Sequence, residues 1–303
     1  MQNFDGSVYL NGKRRSVRCP GVLGAFVRGG AEKPSYMSGV GDCLLIDFGR
    51  AFFAVSDSSD RNSSASRFLL RQYANLLDTF PILKSREIHP GGKAEKIKLE
   101  LVRKSEELLC TMPFSDSCTF TGFLILRTVG GLKGLLMHTG DSILMVYHPA
   151  EGSLRQVTKS NFWMVGRTRQ FFQVETINIE EGMRFILSTD GFSGLDAPRD
   201  QERKAFYLDL FEGRPIEEIP DILVDRYDKP HPGKDDLGLI TLDPRRLPFD
   251  YPWIILGGTT SHDEKIFREG RKAGLYEDRY SPLDHSYESL FCLQQYTVDK
   301  VLE

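Results

Sequence analysis

Five aspartates stand at the ends of apolar stretches, where a rigid strand can aim a carboxylate at a fixed point. Asp42 precedes CLLID, Asp57 follows FFAVS, and Asp190 follows MRFILST. Asp235 precedes LGLITL, and Asp141 lies in HTGDS between two apolar runs. Any one of them alone is a common turn or cap residue. As a set, they predict a cluster of carboxylates.

Carboxylates that converge on one point repel each other unless a cation neutralises them. Such a cluster is therefore expected to hold Mg²⁺ or Mn²⁺ through oxygen ligands and retained waters. Two such cations, roughly 3.5 to 4 Å apart, can activate a bridging water and clamp a phosphoryl group for in-line attack. The chemistry that these residues indicate is the hydrolysis of a phosphomonoester.

Short apolar runs bounded by Gly, Asp or Asn predict the strands that must position these carboxylates. The predicted strands are Ser7–Leu10, Cys43–Asp47, Ala51–Ser56, Thr119–Thr128, Gly134–His138, Ile143–Tyr147 and Leu237–Leu242. Several of these runs are almost continuously apolar, which is typical of strands buried inside a sandwich.

Two segments between the strands have apolar residues at helical spacing, Ser63–Phe80 and Ala94–Leu109. A shorter helical region is predicted around Gln201–Phe211. Strands that precede and follow a helical pair favour an α+β layered sandwich over alternating βαβ units.

Composition narrows the class of protein. The 303 residues are 40% hydrophobic, enough for a sizeable core. With 39 Lys and Arg against 42 Asp and Glu, there is no overall basic field, so we expect neither nucleic acid nor membrane as a partner. Five widely spaced cysteines form no C-x-x-C pair. Without an apolar N-terminal signal or a run of about 20 apolar residues, we expect a cytoplasmic protein.

The order of these motifs resembles the metal-dependent (type 2C) serine/threonine protein phosphatase family. The matching pieces are Asp42, FFAVSD ending at Asp57, SCTFTGFLIL from Ser117, HTGDSILMVY around Asp141, LRQVTKSN from Leu154, EEGMRFILSTDGFSGL around Asp190 and KDDLGLITL around Asp235. They span about residues 1–243, and STDG and HTGDS are the strongest pieces.

This resemblance implies a four-layer α-β-β-α sandwich of two mainly antiparallel sheets with the helices outside. It also implies a compact, bacterial-like member, because only about twenty residues separate KSN from IEEGM and leave little room for a large flap. The related bacterial stress-response and sporulation phosphatases share the same acidic ends.

Carried over residue by residue, the resemblance assigns metal ligands. Asp57 resembles the bridging ligand of both metals, with the backbone carbonyl of Ser58 where the family uses a glycine carbonyl. Asp190 and Asp235 resemble the ligands of one metal. Asp57 and Asp190 are thus expected to carry catalysis through a metal-activated water.

Two further aspartates resemble accessory positions. Asp42 matches the acidic residue that binds through water, and Asp141 matches the aspartate that some members use for a third metal. The cofactors implied are two Mg²⁺ or Mn²⁺ ions, with a third in such members.

The loop after Asp57 departs from the family pattern. The family's D-G-x-G-G is D-S-S-D-R at residues 57–61, without its glycines or a His general acid. The phosphate-binding Arg that usually precedes the first aspartate is also absent. Arg28, Lys33 and Arg61 are the candidates to replace it, because a basic side chain, and a guanidinium in particular, can grip phosphate.

Other residues are less specific. His138 could donate a proton to the leaving alkoxide, but a His on an apolar strand is more often structural. Cys43 and Cys118 lie in or beside apolar strands and are expected in the core. The GGTT sequence at 257–260 lacks the Lys and spacing of a phosphate loop and is interpreted as a turn.

Three regions are predicted along the chain: a phosphatase-like domain at 1–243, a Pro-rich linker at 244–252 without regular structure, and an extension at 253–303. Within the extension, Glu264–Gly274 has the character of a charged helix. The aromatic residues of the extension are expected to pack on the domain, on a partner or on a second copy.

The predicted function is metal-dependent hydrolysis of phosphoserine or phosphothreonine in a phosphoprotein substrate, without a covalent enzyme intermediate. The altered loop at 58–61 and the missing Arg motivate an alternative hypothesis. In that alternative, the chain is a catalytically weakened pseudophosphatase that acts as a regulatory binding module.

Overall fold

The computed structural model describes residues 7–11, 14–28, 41–58, 65–80, 88–112, 117–191, 201–227, 235–248, 253–258 and 291–295. The first strands are β1 (Ser7–Asn11), β2 (Arg14–Cys19), β3 (Leu23–Arg28), β4 (Cys43–Asp47), β5 (Phe52–Ser56), β6 (Ile88–His89), β7 (Phe120–Thr128) and β8 (Gly131–Thr139). The later strands are β9 (Ile143–His148), β10 (Ser153–Gln156), β11 (Gln173–Ile179), β12 (Arg184–Ser188), β13 (Leu237–Leu242), β14 (Trp253–Gly257) and β15 (Phe291–Gln295). The helices are α1 (Ala65–Asp78), α2 (Gly91–Thr111), α3 (Gln201–Phe211) and α4 (Ile219–Tyr227).

These strands form two sheets. The first has the order β1-β2-β3-β13-β12-β9-β10, and the second has the order β11-β8-β7-β5-β4-β14-β15, with β6 beside β7. Among the described strands, every pair is antiparallel except β6 and β7. The predicted sandwich of two mainly antiparallel sheets is therefore confirmed.

Three apolar layers hold the sandwich together. The central layer lies between the sheets and includes Leu44, Phe53, Phe123, Phe185 and Ile240. A second layer joins the outer face of the second sheet to α1 and α2, and a third joins the outer face of the first sheet to α3 and α4. Full burial of each such side chain stabilises the fold by about 1.5–3 kcal/mol. The layers are therefore helix, sheet, sheet and helix.

The local sequence explains why these elements form. In α1, Leu69, Leu70, Tyr73 and Leu77 recur at helical spacing and are buried against the second sheet. All six residues of β13 are buried, because this strand is central in its sheet and covered on both faces. Continuous apolar runs thus correspond to central strands.

The predicted strands and helices are confirmed to within a few residues at their ends. β2 and β3 were not predicted, because RRSVRC carries three arginines and LGAFVR is interrupted by Gly24. α4 was not predicted either, since Pro220 stands in its first turn, a position that tolerates proline. Among the described helices, none has the length and apolar character needed to cross a bilayer.

The region after β13 differs from the prediction in one respect. Pro244–Arg246 form a 3₁₀ turn where the linker was predicted to lack regular structure; Asp243 caps it by accepting a hydrogen bond from the Arg245 amide. β14 lies within the predicted extension and pairs with β4, so this strand continues the second sheet. Glu264–Gly274 lies outside the described residues.

Candidate metal centre

Strand register brings the predicted aspartates to one end of the sandwich. Cys43 of β4 pairs with Ser56 of β5, so Asp42 and Asp57 flank the same end of that hairpin. In the other sheet, Ser188 of β12 pairs with Leu239 of β13. The segments just after β12 and just before β13 therefore also share one end.

Three of these carboxylates converge on one point. Asp57, Asp141 and Asp190 each offer an oxygen atom, and these atoms all lie within 4.8 Å of one another. Asp57 follows β5 in the second sheet, Asp141 lies in the turn between β8 and β9, and Asp190 follows β12 in the first sheet. The cluster therefore spans the gap between the two sheets.

Asp42 is a buried neighbour of this cluster. Its side chain is 1% exposed and lies beside the carboxyl of Asp57 and the hydroxyl of Thr189. Its Oδ2 atom has no hydrogen-bond partner within the described part of the chain. A buried carboxylate oxygen without a partner is costly unless a proton or a cation satisfies it.

The electrostatics of the cluster favour neutralisation. Burial raises the pKa of Asp57 well above its usual value, and the carboxylates of Asp42 and Asp190 raise it further. Burial, together with Asp141 and Asp235, raises the pKa of Asp190 to about 6. The pKa of Asp141 is also raised by burial. Crowded carboxylates at raised pKa are the donor set that a hard divalent cation fits.

The neighbouring residues Asp235 and Asp236 make different contacts in the candidate site. Asp235 is close enough to raise the pKa values of Asp42, Asp57 and Asp190, although it is not one of the three that converge within 4.8 Å. Asp236 is buried, and its Oδ2 accepts a hydrogen bond from the Gly41 amide. Asp236 thereby ties the start of β13 to the segment that carries Asp42.

Ser58 departs from the family's glycine without straining the backbone. Its φ angle is not in the left-handed region, so the turn at this position does not require glycine. The Ser58 hydroxyl donates to Ser66 Oγ and accepts from the Ser66 amide, both at 2.9 Å. The serine side chain therefore anchors the start of α1, and an isolated bridge pairs the Ser58 backbone with Cys118.

His138 is a structural residue in this arrangement. It is fully buried, its Nδ1 lies 2.9 Å from Thr121 Oγ1, and its Nε2 lies 3.2 Å from the Lys159 carbonyl. Burial lowers the pKa of His138 to about 4. A neutral, buried imidazole ring held by these partners does not fit the role of proton donor to the leaving alkoxide, which was considered from the sequence. Cys43 and Cys118 are buried in the core, as predicted.

The three candidates for phosphate binding are only partly placed. The backbone of Arg28 ends β3 opposite Leu237 of β13, two residues after Asp235. The side chain of Arg28, together with Lys33 and Arg61, lies outside the described residues. Their role stays a prediction.

No protein-family model and no curated protein matches the chain. Among solved structures, the serine/threonine phosphatase PstP/Ppp of Mycobacterium tuberculosis is 17% identical, with a TM-score of 0.51 over 73% of this chain and 97% of that chain. The PstP catalytic domain in complex with two manganese ions is 18% identical, with a TM-score of 0.52 over 73% and 96%.

A third structure, the phosphatase MsPP from Mycobacterium smegmatis in complex with cacodylate, is 19% identical, with a TM-score of 0.50 over 73% of this chain and 97% of that chain. The chain has the type 2C phosphatase fold. In this type 2C sandwich, the carboxylate cluster lies at the ends of strands from both sheets.

Two residues that support the carboxylate cluster were not predicted from the sequence. Thr119 and Asn161 were passed over, although both lie in quoted motifs. The Thr119 hydroxyl accepts a hydrogen bond from the Asp57 amide at 2.9 Å. Asn161 accepts one from the Gly140 amide at 3.0 Å, next to Asp141. The only sequence signal for either was its place beside an aspartate motif.

Proposed function

We propose that this chain hydrolyses phosphoserine or phosphothreonine in proteins, with two divalent cations, Mn²⁺ or Mg²⁺, held by the carboxylate cluster. The observation that carries the proposal is the convergence of Asp57, Asp141 and Asp190 within 4.8 Å between the two sheets. Such crowding is unfavourable without a cation. A purely structural role would not require it.

The residues present fit the cations. Asp57, Asp190 and Asp235, with the Ser58 carbonyl, would bind them directly, and Asp42 would bind through water. Among the described residues, Oδ2 of Asp42 has no hydrogen-bond donor, and this supports that role because a metal-bound water would be such a donor. Asp141, which belongs to the converging group, would serve a third cation. Bound cations would lower the pKa of a coordinated water and stabilise the negative charge on the phosphoryl oxygens.

The chain's own residues prepare this chemistry. The hydrogen bond from the Asp57 amide to the Thr119 hydroxyl fixes the backbone that carries the Asp57 carboxylate. The Thr189 hydroxyl lies beside Asp42, which precedes β4 in the other sheet, and it accepts a hydrogen bond from the Gly238 amide at 2.9 Å. Rigid strand ends keep the carboxylates in place before any ligand arrives.

The test is hydrolysis of p-nitrophenyl phosphate and of a phosphothreonine peptide, with Mn²⁺ and with EDTA. We expect activity that depends on Mn²⁺, and an Asp190→Ala variant slower by about 100-fold or more. Asp209→Ala is the matched control, because Asp209 is an exposed aspartate on α3. Equal rates in wild type and Asp190→Ala, or no hydrolysis by either, would contradict the proposed enzymatic function. Peptide binding without hydrolysis would then favour the regulatory module.

A further inference from the structure

One exposed apolar surface lies beside the metal centre and has no role in the proposed chemistry. The segment at 161–172 follows β10 and precedes β11. Phe162 is fully exposed, and Trp163 and Phe172 are about two-fifths exposed, with ring centroids 5.6 Å apart. Phe162 and Trp163, together with Arg167 and Arg169, line an open pocket of about 400 Å³. We call this the aromatic pocket.

The aromatic pocket is fastened to the cluster by hydrogen bonds. The Asn161 side chain accepts from the amides of both Gly140 and Trp163 at 3.0 Å, and the Asn161 amide donates to the Gly140 carbonyl at 2.9 Å. Thr139 Oγ1 donates to the Trp163 carbonyl at 3.1 Å. Asp141 is the next residue after Gly140. The pocket is thus built on the turn that carries a cluster carboxylate.

A second set of contacts joins the pocket to the Asp57 side of the cluster. The Val165 amide donates to the Cys118 carbonyl at 2.8 Å, and Cys118 bridges to Ser58. The loop that carries the pocket is therefore hydrogen-bonded to Thr139 and Gly140, within two residues of Asp141, and is joined through Cys118 to Ser58.

Charge decides which occupant fits. Residues 157–172 contain Lys159, Arg167 and Arg169 and no acidic residue, in a chain whose net charge is -3. All three basic residues are exposed. An apolar side chain suits the Phe162 and Trp163 rings, and acidic neighbours suit the basic side chains.

We infer that the aromatic pocket docks the phosphoprotein substrate, an inference that rests on the proposed function. It selects a segment in which an apolar residue and acidic residues lie near the phosphorylated residue in sequence. The pocket thereby contributes to the choice of substrate and takes no part in the chemical step.

Two phosphothreonine peptides test this inference. One carries Leu and two Glu residues within four positions on either side of the phosphothreonine; in the other, Ser and Lys replace them. The chain is compared with a double variant, Phe162→Ala with Arg169→Glu. A matched control, Val129→Ala with Lys96→Glu, alters an exposed apolar and an exposed basic residue. Val129 follows the end of β7 opposite Thr119, and Lys96 is on α2.

We expect wild type and control to prefer the acidic peptide by about tenfold in kcat/KM, and the pocket variant to lose most of that preference through KM. Hydrolysis of p-nitrophenyl phosphate should be unchanged, because it is too small to reach the pocket. An unchanged peptide preference in the pocket variant would overturn the inference.

Fluorescence anisotropy with the labelled peptides separates this inference from the proposed function. If no variant hydrolyses any substrate, the proposed function fails, while stronger binding of the acidic peptide by wild type than by the pocket variant still supports the docking surface. Equal binding by the two proteins overturns it.

Discussion

The hydroxyls of Thr119 and Ser142 lie 2.6 Å apart in the interior, and this contact joins two of the segments that carry cluster aspartates. The Thr119 hydroxyl also accepts a hydrogen bond from the Asp57 amide, and Ser142 directly follows Asp141. One buried hydroxyl pair therefore fixes the separation of two carboxylates that repel each other.

Thr119→Val removes this link while keeping the shape of the side chain. We expect the free energy of unfolding to fall by about 1–3 kcal/mol, because the Ser142 hydroxyl loses its partner in the interior. Mn²⁺ affinity should fall by about tenfold or more, since supporting residues of metal sites contribute on that scale. Urea denaturation and calorimetric titration with Mn²⁺ measure the two effects.

Thr128→Val is the control for that variant. Thr128 also loses one hydrogen bond, to the Gly131 carbonyl, but at the far end of β7. It should lose stability without losing Mn²⁺ affinity. Equal Mn²⁺ affinities in Thr119→Val and wild type would contradict the linking role.

Gly191→Ala should disrupt the cluster by a backbone clash. A Cβ atom at this position would lie 1.7 Å from the Asp236 carbonyl oxygen, so the Asp190 segment must move away from β13. We expect a loss of about 1–3 kcal/mol or more in stability, as for overpacked sites, together with lower kcat/KM for p-nitrophenyl phosphate.

Gly92→Ala is the matched substitution, because a Cβ atom there meets nothing within 4 Å and the residue lies in α2. It should leave activity unchanged and raise stability by up to about 1 kcal/mol. Wild-type stability and activity in Gly191→Ala would show that the approach of these two segments is looser than described.

The metal-free protein should be destabilised by its own carboxylates as pH rises. The pKa of Asp190 is raised from 3.8 to about 6, so the folded state binds this proton more tightly than the unfolded chain does. Its contribution to stability is therefore lost as pH rises from about 4 through about 6. In EDTA, Asp190→Asn should raise Tm at pH 7.5, and it should raise Tm by about half as much at pH 5, which lies midway through that range.

Excess Mn²⁺ should reverse that ranking at pH 7.5, because the wild type gains binding free energy that the variant lacks. Thermal unfolding of both proteins in the two buffers provides the measurement. An Asp190→Asn effect of the same sign and size at both pH values in EDTA would contradict the electrostatic argument.

Removal of the C-terminal region should expose the edge of β4. Ile254, Ile255 and Leu256 of β14 are buried, and each contributes about 1.5–3 kcal/mol of apolar burial. The Cys43 thiol also donates to the Gly257 carbonyl, directly beside Asp42. A chain that ends at Asp250 should unfold at a lower temperature and aggregate on sizing chromatography, because an uncovered apolar edge invites pairing.

A chain that ends at residue 295 retains both β14 and β15 and should behave as the full chain does. Equal Tm and equal elution profiles for the two truncations would show that β14 contributes nothing to the fold.

Much of the fold follows from the sequence because its signals are local. CLLID, FFAVS and LGLITL are apolar runs bounded by aspartates, and each proves to be a strand within one residue of the expected ends. The pairing of β14 with β4 is not local, since about 200 residues separate the strands, and no periodicity encodes which edge a strand will join.

The candidate site was predictable in kind and less so in detail. Strand ends placed Asp57, Asp141 and Asp190 correctly near one another, because antiparallel register fixes which ends coincide. Nothing in the KDD sequence indicated that its second aspartate, Asp236, would accept a hydrogen bond from the Gly41 amide. The exposure of Phe162 was equally hidden, because an aromatic residue in a loop is as easily buried as exposed.

The central claim is that this cluster binds two divalent cations, and an anomalous-scattering map of a crystal soaked in Mn²⁺ tests it most directly. The map should show two peaks roughly 3.5 to 4 Å apart, bound by Asp57, Asp190 and Asp235, with both peaks lost in Asp57→Asn. A map without peaks at this end of the sandwich, or with peaks that persist in Asp57→Asn, would contradict the claim.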